Sequence, residues 1–153
     1  MVFCGYNSRK ELWVQAPVEY GASRMTAKKH SDRLKRMAAR TPKEVARALY
    51  SAGQLIELDW ERSITAGSIS GANHIPSAPG QPPNADTHFL DSNIETEIGG
   101  PGLVTVTSKA PYSAALEYGT SKMQARPAAR PATERNRKKV VQMVGDAVNV
   151  TIK

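Results

Sequence analysis

The chain has 153 residues, of which 40% are hydrophobic and only 6% aromatic, and its formal net charge is +7. This length suits one domain with a modest, mainly aliphatic core. No apolar run approaches the roughly 18 residues that a membrane span requires, and no basic start followed by an apolar core indicates a secretion signal. The single cysteine, Cys4, excludes an internal disulfide and a cysteine-based zinc site, and favours synthesis in a reducing cytoplasm.

The charge is distributed unevenly along the chain. Residues 1–40 carry a net charge of +6, residues 41–121 a net charge of −5, and residues 122–153 again +6. Basic ends around an acidic middle suit a chain whose termini lie on the acidic face of a neighbour. The same pattern also suits phosphate binding, so charge alone does not distinguish the two.

The first 25 residues show no sustained hydrophobic period, and we expect residues 1–25 to form an extended N-terminal arm before a single domain over residues 26–153. A floppy terminus is one interpretation, and a translation start at Met25 is another. Trp13 favours a third, in which the arm docks on an adjacent subunit, because tryptophan is enriched among interface anchors.

A long amphipathic helix is predicted to begin at Thr41, which can cap it, and to end near Gly67. Pro42 suits its first turn. Apolar residues then recur at three- and four-residue steps over about 25 residues, which would span about 38 Å. A separate short basic helix is expected over residues 26–40.

The middle of the chain predicts a stiff loop followed by a β-hairpin. Four prolines lie within residues 71–88, which form an extended Pro-rich loop. Two alternating runs, 90–98 and 103–109, flank a Gly-Gly-Pro-Gly turn. His74 and His88 flank the loop, but no third ligand stands at metal-site spacing, so we expect no metal.

A second helix is predicted from Pro131 to about Val148, and the alternation beyond it predicts an edge strand that ends the chain. These elements together predict an α+β fold: a long helix packed on a small antiparallel β-sheet, a C-terminal helix and the arm. The first turns of the second helix carry four cations, Arg135, Arg137, Lys138 and Lys139.

Acidic residues near the end of the first long helix and basic residues near the start of the second both oppose the helix dipole. Asp59 and Glu61 lie near the end of the first long helix, and they indicate a basic partner nearby or an ordinary solvated acidic face. The four cations of the second helix need compensation from outside it. Candidates are DNA phosphate or acidic residues of a neighbouring copy: Asp59, Glu61, Glu95 or Glu97.

The least random stretch is 110–131, which we call the elbow. A short helical turn from Tyr112 to Tyr118 is predicted to end at Gly119, where positive φ is needed. Two Arg-Pro steps place Arg126 and Arg130 on extended or turning backbone, because the residue before a proline avoids the α region. Glu117 is expected to form a salt bridge with a nearby cation, namely Lys122, Arg126 or Arg130.

Motifs in two places and in the right order carry a family resemblance. The first comprises Pro79-Gly80, Pro82-Pro83, Asp86-Thr87, Leu90, Ser92 and Ile94. The second comprises Pro111-Tyr112, Leu116-Glu117-Tyr118-Gly119-Thr120-Ser121-Lys122-Met123, Ala125-Arg126-Pro127 and Arg130-Pro131-Ala132. Over roughly residues 30–148 they resemble the tail-component, or tail-completion, family of neck proteins from long-tailed bacteriophages and prophages. His88 stands where that family has glycine, and Ala128 where it has a large apolar residue.

The resemblance implies a structural virion protein of the phage neck or tail, assembled in the host cytoplasm. Its copies would close into a homo-oligomeric ring, of six by family analogy, that completes the tail and joins it to the head connector. Partners would be adjacent connector and tail-terminator or tail-tube proteins. Genomic DNA would pass through the ring without sequence reading. No cofactor or membrane is implied.

We expect the subunit interface to involve Glu117, Arg126 and Arg130, with Tyr112 and Tyr118 packed beneath them. The interface is also expected to include Trp13, Asp59 and Glu61. The four helical cations, Arg135, Arg137, Lys138 and Lys139, would meet DNA in the lumen or an acidic partner.

Three alternatives to this role are an enzyme, a tail-terminator ring and a nucleic-acid-binding module. The chain has no phosphate loop, Gly-x-Ser-x-Gly elbow or paired-histidine zinc motif, so we do not expect an enzyme. A tail-terminator ring is the alternative within the same class. A stand-alone basic nucleic-acid-binding module is the alternative outside it, although the C-terminal basic run lacks interleaved aromatic residues.

Overall fold

The computed structural model describes residues 26–152 and the backbone of residues 4–6 and 12–14. It divides the chain into two compact units, 1–33 and 34–153. In the first unit, strands β1 (Cys4–Tyr6) and β2 (Leu12–Val14) pair antiparallel, with Gly5 opposite Trp13. The Trp13 side chain and the rest of the predicted arm lie outside the described residues.

Helix α1 runs without a break over Ala27–Thr65, so the prediction of two helices separated at Thr41 is wrong. Thr41 does not cap a helix; its hydroxyl donates to the Met37 carbonyl of the preceding turn, at 2.8 Å. Pro42 lies inside the helix and has no N–H to donate to the carbonyl of Ala38, four residues earlier. Ala38 is exposed, so water can solvate that carbonyl. Gly67, at φ 75°, follows the end of the helix as expected.

The predicted hairpin is confirmed as strands β3 (Ile94–Gly100) and β4 (Leu103–Ser108), which pair antiparallel. Residues 91–93, predicted as strand, form a 3₁₀ turn instead. Thr96 pairs with Val106 in the register of the two strands. Ile94 is buried and Thr96 half-buried, so this face packs inward, while the exposed Glu95 and Glu97 face outward. The outward carboxylates both pair with Lys109, and these hydrogen bonds raise its pKa.

Two further helices follow the hairpin: α2 (Ser113–Tyr118) and α3 (Ala129–Ile152). The predicted C-terminal edge strand is wrong, because α3 continues through it. Val144, Val148 and Thr151 are half-buried at helical spacing and continue the inner stripe of the helix, whereas Val150 and Ile152, which alternate with polar residues in the sequence, are exposed. No helix among residues 26–152 combines the length and apolar character needed to cross a membrane.

Helix α3 lies alongside α1 in the opposite direction. Near the start of α3, Arg135 and Asn136 both donate to Asp59 Oδ2, at 3.1 and 2.7 Å. Near its end, the hydroxyl oxygens of Thr151 and Thr41 lie 3.1 Å apart. The bonds to Asp59 fix the start of α3 on α1, and the contact between the two threonines places its last turn beside Thr41.

The core is small and is built largely from small side chains. Among the described residues, nine hydrophobic residues are buried, and five of these are alanines. The cluster joins the end of α1 to the loop, the hairpin and the start of α3: Trp60, Ile64, Ala85, Leu90, Ile94, Ala110, Ala128 and Ala132. Ala128 is 3% exposed and belongs to this cluster, so the position where a large apolar residue was expected is buried with a small side chain.

Gly53 is where α1 meets the hairpin most closely. A Cβ built there would lie 2.6 Å from Thr96 Cγ2 and 2.9 Å from Val104 Cγ1. Gly53→Val should therefore force the hairpin away from the helix and lower the free energy of unfolding by about 1–3 kcal/mol. Urea unfolding followed by circular dichroism measures this loss.

Gly145→Ala is the matched control, because nothing lies within 4 Å of a Cβ at that position of α3. We expect it to stabilise the fold by about 0.5–1 kcal/mol through helix propensity. Equal effects of the two substitutions would contradict the close packing of Gly53.

Candidate functional site

The Glu117 carboxylate organises the elbow by capping the N-terminus of α3. Its Oε2 accepts the main-chain N–H groups of Ala128 and Ala129, at 2.9 and 3.0 Å. Its Oε1 accepts the N–H of Arg130, at 2.9 Å. A negative charge at this position is also favoured by the helix dipole. The predicted salt bridge from Glu117 to Lys122, Arg126 or Arg130 is wrong, because main-chain donors occupy both carboxylate oxygens.

The first turn of α3 leaves no main-chain donor unsatisfied. A helix begins with four N–H groups that lack intrahelical partners. Three of them bind Glu117, and the fourth position is Pro131, which has no N–H. Ala132 then donates to the Ala128 carbonyl and starts the regular helical pattern. The spacing between Glu117 and Arg130-Pro131 therefore places the carboxylate where it can cap α3.

The turn between α2 and Arg126 requires glycine at position 119. Gly119 has φ 77°, and a Cβ there would lie 2.9 Å from both Ala125 N and Met123 O. Thr120 and Met123 exchange main-chain hydrogen bonds across the turn, and Arg126 N–H donates to the Leu116 carbonyl at 2.7 Å. The elbow is thus a tightly bonded unit.

The two arginines of the elbow lie in different environments. Arg126 lies on irregular backbone, as predicted, and is half-buried. Arg130 lies in the first turn of α3, so its expected non-helical backbone is wrong, and its exposed guanidinium pairs with Glu134 at 3.2 Å. The first turn tolerates the following proline because no N–H is needed there.

Within the single chain the tyrosines of the elbow are exposed, and their packing beneath the arginines at a subunit interface stays a prediction. Tyr118 is 84% exposed and Tyr112 is 42% exposed. Tyr112 lies against Phe89, with ring centroids 6.2 Å apart. The elbow therefore presents aromatic surface to its surroundings.

One of the four helical cations is compensated within the chain. Arg135 binds Asp59 of its own chain, whereas the prediction placed this acidic partner on a neighbouring copy. Arg137, Lys138 and Lys139 are exposed and form no ion pair with the described residues. This three-residue basic cluster remains available to an external partner.

The Pro-rich loop is attached to both the elbow and α1. Gly80 N–H donates to the Ala125 carbonyl at 2.9 Å, and Ala85 N–H donates to the Ile64 carbonyl at 3.0 Å. His88 adopts φ 58°, a conformation that glycine adopts most readily, at the position where the resemblance has glycine. Its Nδ1–H donates to Asp91 Oδ2 at 3.1 Å.

Among the described residues, no three His, Cys, Asp or Glu side chains come together as a metal site. The loop and the elbow instead enclose a cleft of about 280 Å³. Sequence reasoning placed Arg126 in the elbow but missed two other polar residues of this cleft, Ser77 and Asp91. Neither belongs to a motif with a known chemical role. The one signal in the sequence is that Asp91 lies three residues after His88, which stands where the resemblance has glycine.

Glu61 is the acidic site residue with a perturbed environment. Burial raises the pKa of its carboxyl above the ordinary 4.5, and the like charges of Glu57 and Asp91 raise it further. A carboxylate that is harder to ionise in the folded state destabilises the fold as pH rises from 4.5 through the raised pKa. The acidic end of α1 is thus under mild electrostatic strain at neutral pH.

Glu117→Gln should destabilise the chain by about 1–3 kcal/mol, because an amide has one acceptor oxygen and its NH₂ group would face main-chain donors. Urea unfolding measures the effect. Glu134→Gln is the matched control on the same helix, since Arg130 is the single ion-pair partner of Glu134 among the described residues and both side chains are exposed. We expect a change within about 0.5 kcal/mol for the control. A Glu117→Gln variant as stable as the control would rule out the capping role.

Glu61→Gln should raise the melting temperature at pH 7, by about 1–3 °C, because it removes a carboxylate that is costly to ionise. The gain should shrink towards zero below pH 4.5, where Glu61 is protonated in both states. Thermal melts from pH 4 to 8 test this. Glu44→Gln, at an α1 position that pairs with Arg47, should show no such pH-dependent gain. A gain independent of pH would contradict the assignment.

Comparisons with known proteins find no relative. No protein-family model matches the chain, and neither a curated protein nor a solved structure does so at a significant level. The role of the chain is therefore inferred from its residues, charges and geometry.

Proposed function

We propose that this chain is a structural subunit of the neck or tail of a long-tailed bacteriophage particle. Its copies close into a ring, six by family analogy, that completes the tail and joins it to the head connector. Genomic DNA passes through the lumen, and no catalytic step is part of the role. The second motif of the resemblance, residues 111–132, falls almost entirely within the bonded elbow.

The observation that carries the proposal is the imbalance between core and surface. Against nine buried hydrophobic residues, five of them alanines, thirteen large hydrophobic side chains of the described part are exposed. Single exposed apolar residues are ordinary. Five of the thirteen, however, lie between the end of α1 and the end of α2, outside the hairpin: Ile69, Ile75, Phe89, Tyr112 and Tyr118. Such a surface favours a subunit that is completed by neighbours.

The remaining charges also suit contacts between copies. The end of α1 carries Glu57 and Glu61, whose like charges repel, whereas α3 carries the exposed cluster of Arg137, Lys138 and Lys139. Two different surfaces of opposite charge on one chain favour a head-to-tail contact, and such contacts generate rings when the rotation closes. Placing the basic cluster of one copy against the acidic end of another would relieve the strain at Glu61.

Size-exclusion chromatography with light scattering tests the ring. The 16.6 kDa chain should give a closed assembly of about 100 kDa if six copies associate. Tyr118→Ser should abolish that assembly and leave the monomer folded, because Tyr118 is 84% exposed. Tyr50→Ser on α1, where Tyr50 is 37% exposed, is the matched control and should retain the assembly. A wild-type chain that stays monomeric at high concentration would refute the proposal.

The exposed basic cluster favours one second candidate, a stand-alone nucleic-acid-binding module. That function predicts a monomer that binds DNA, with an affinity that falls steeply with salt; three phosphate contacts give a logarithmic slope of about −3. A ring that forms without nucleic acid favours the first function. Placing the ring at the end of an isolated tail tube, and not at the connector, would favour the tail-terminator alternative.

A further inference from the structure

A row of cations follows one side of the first half of α1. Arg36, Arg40, Lys43 and Arg47 are separated by four, three and four residues, and this spacing places all four on the same side of an α-helix. All four residues are exposed. We call them the α1 basic row, which extends over about 16 Å at 1.5 Å per residue.

The fold does not neutralise this row. Arg47 pairs with Glu44 at 3.0 Å. Arg36, Arg40 and Lys43 form no ion pair with the described residues. Like charges three or four residues apart on a helix repel one another and destabilise it. Because no acid of the fold compensates this repulsion, the row points to a negatively charged partner outside the chain.

Another copy of the chain offers no matching row of acids. Most acidic side chains of residues 34–152 already pair with a cation or a histidine, or cap a helix, within their own chain: Glu44, Asp59, Asp86, Asp91, Glu95, Glu97, Glu117 and Glu134. In this part of the chain Glu57, Glu61 and Asp146 remain. The first two lie near the other end of α1 and the third lies on α3, so they form no row that matches the four cations.

A nucleic-acid backbone matches the row in charge and in length. Duplex DNA carries about one negative charge per 1.7 Å of its axis, so a stretch of about 16 Å offers roughly ten phosphates to the four cations. Residues 34–49 contain no aromatic side chain that could stack on a base. The row therefore suits contacts with phosphates, which position a protein on DNA without reading the sequence.

A membrane surface fits the row less well. A helix that lies in a membrane interface needs an apolar side that is free to enter the lipid. On α1 the side away from the row carries Val45 and Leu49, which are half-buried in the fold. Further along the same helix, Trp60 and Ile64 are buried in the core. The apolar side of α1 is thus already used by the chain itself.

We propose that the α1 basic row is a nucleic-acid-binding surface that contacts the phosphates of duplex DNA without reading its sequence. It is a different surface from the basic cluster of α3. Asp59 binds Arg135 and Thr41 lies beside Thr151, so the two basic surfaces lie near opposite ends of the paired helices. The inference goes beyond the proposed ring and does not depend on it, because the row belongs to a single chain.

Fluorescence anisotropy with a labelled mixed-sequence DNA duplex of about 20 base pairs tests the row. The full chain should bind this duplex with an affinity that falls steeply as salt rises, and should bind a duplex of unrelated sequence within about threefold of the same affinity. Arg36→Gln/Arg40→Gln removes two phosphate contacts. It should lower the affinity at least about tenfold near physiological salt, and reduce the logarithmic salt slope by about 2.

Lys35→Gln/Lys122→Gln is the matched control, because it removes the same charge from two exposed lysines outside the row. Lys35 precedes Arg36 and therefore lies about 100° around the helix from it. We expect the control to change the affinity by less than about threefold. Arg36→Lys/Arg40→Lys keeps both charges and should retain binding, and melting curves show that each variant is folded.

Light scattering of the same samples separates this inference from the proposed function. A loss of affinity confined to Arg36→Gln/Arg40→Gln supports the row, whether the chain is a ring or a monomer, and a monomer overturns the proposed function alone. A ring that binds no duplex, or that loses affinity equally in both glutamine variants, overturns the row and leaves the ring intact. Binding to vesicles of equal parts phosphatidylserine and phosphatidylcholine, with none to the duplex, overturns it in favour of a membrane surface.

Discussion

The capping of α3 by Glu117 is the interaction on which the rest of the structure depends. One carboxylate binds the three main-chain donors at the start of α3, and Pro131 removes the fourth. The cap ties α2, which carries Glu117, to the helix that packs along α1. Because charge-assisted bonds of this kind are stronger than neutral ones, the elbow keeps its shape without a large hydrophobic core beneath it. Gly119 makes the geometry possible, since any side chain there would collide with the main chain of Ala125.

Small residues and polar contacts hold the elements of this fold together, where many domains use large apolar side chains. Gly53 lets the hairpin approach α1, Ala128 and Ala132 let α3 approach the core, and Asp59 holds the start of α3 through Arg135 and Asn136. Close approach of this kind consumes little apolar side-chain volume. The chain therefore folds with nine buried hydrophobic residues in its described part while leaving many larger ones on its surface. The apolar surface that remains outside this core is the basis of the proposed contact between copies.

Local signals in the sequence were sufficient for the elements whose boundaries depend on nearby residues. The hairpin follows from its alternation and Gly-rich turn, and the end of α2 follows from Gly119. Signals that depend on distant residues were misread. Thr41 and Pro42 resemble a helix start, but the turns before them are also helical, and the cost of an internal proline is small where the freed carbonyl is exposed. Three cations follow Glu117 in the sequence, yet its partners are main-chain N–H groups of residues 128–130, which no charge pattern reveals. Ser77 and Asp91 meet Arg126 only through the folded loop.

The cations near the start of α3 fall into two groups, those paired within the chain and those exposed on its surface. A cationic first turn is unfavourable for an isolated helix, and the sequence alone suggests that a partner must compensate all of it. In the fold, Glu117 neutralises the helix terminus, Glu134 pairs with Arg130, and Asp59 pairs with Arg135. What remains is the exposed cluster of Arg137, Lys138 and Lys139, one turn further along the helix. The cations nearest the terminus are paired within the chain, whereas these three are exposed and form no ion pair with the described residues. Their charge is therefore available to an acidic surface or to a phosphate backbone.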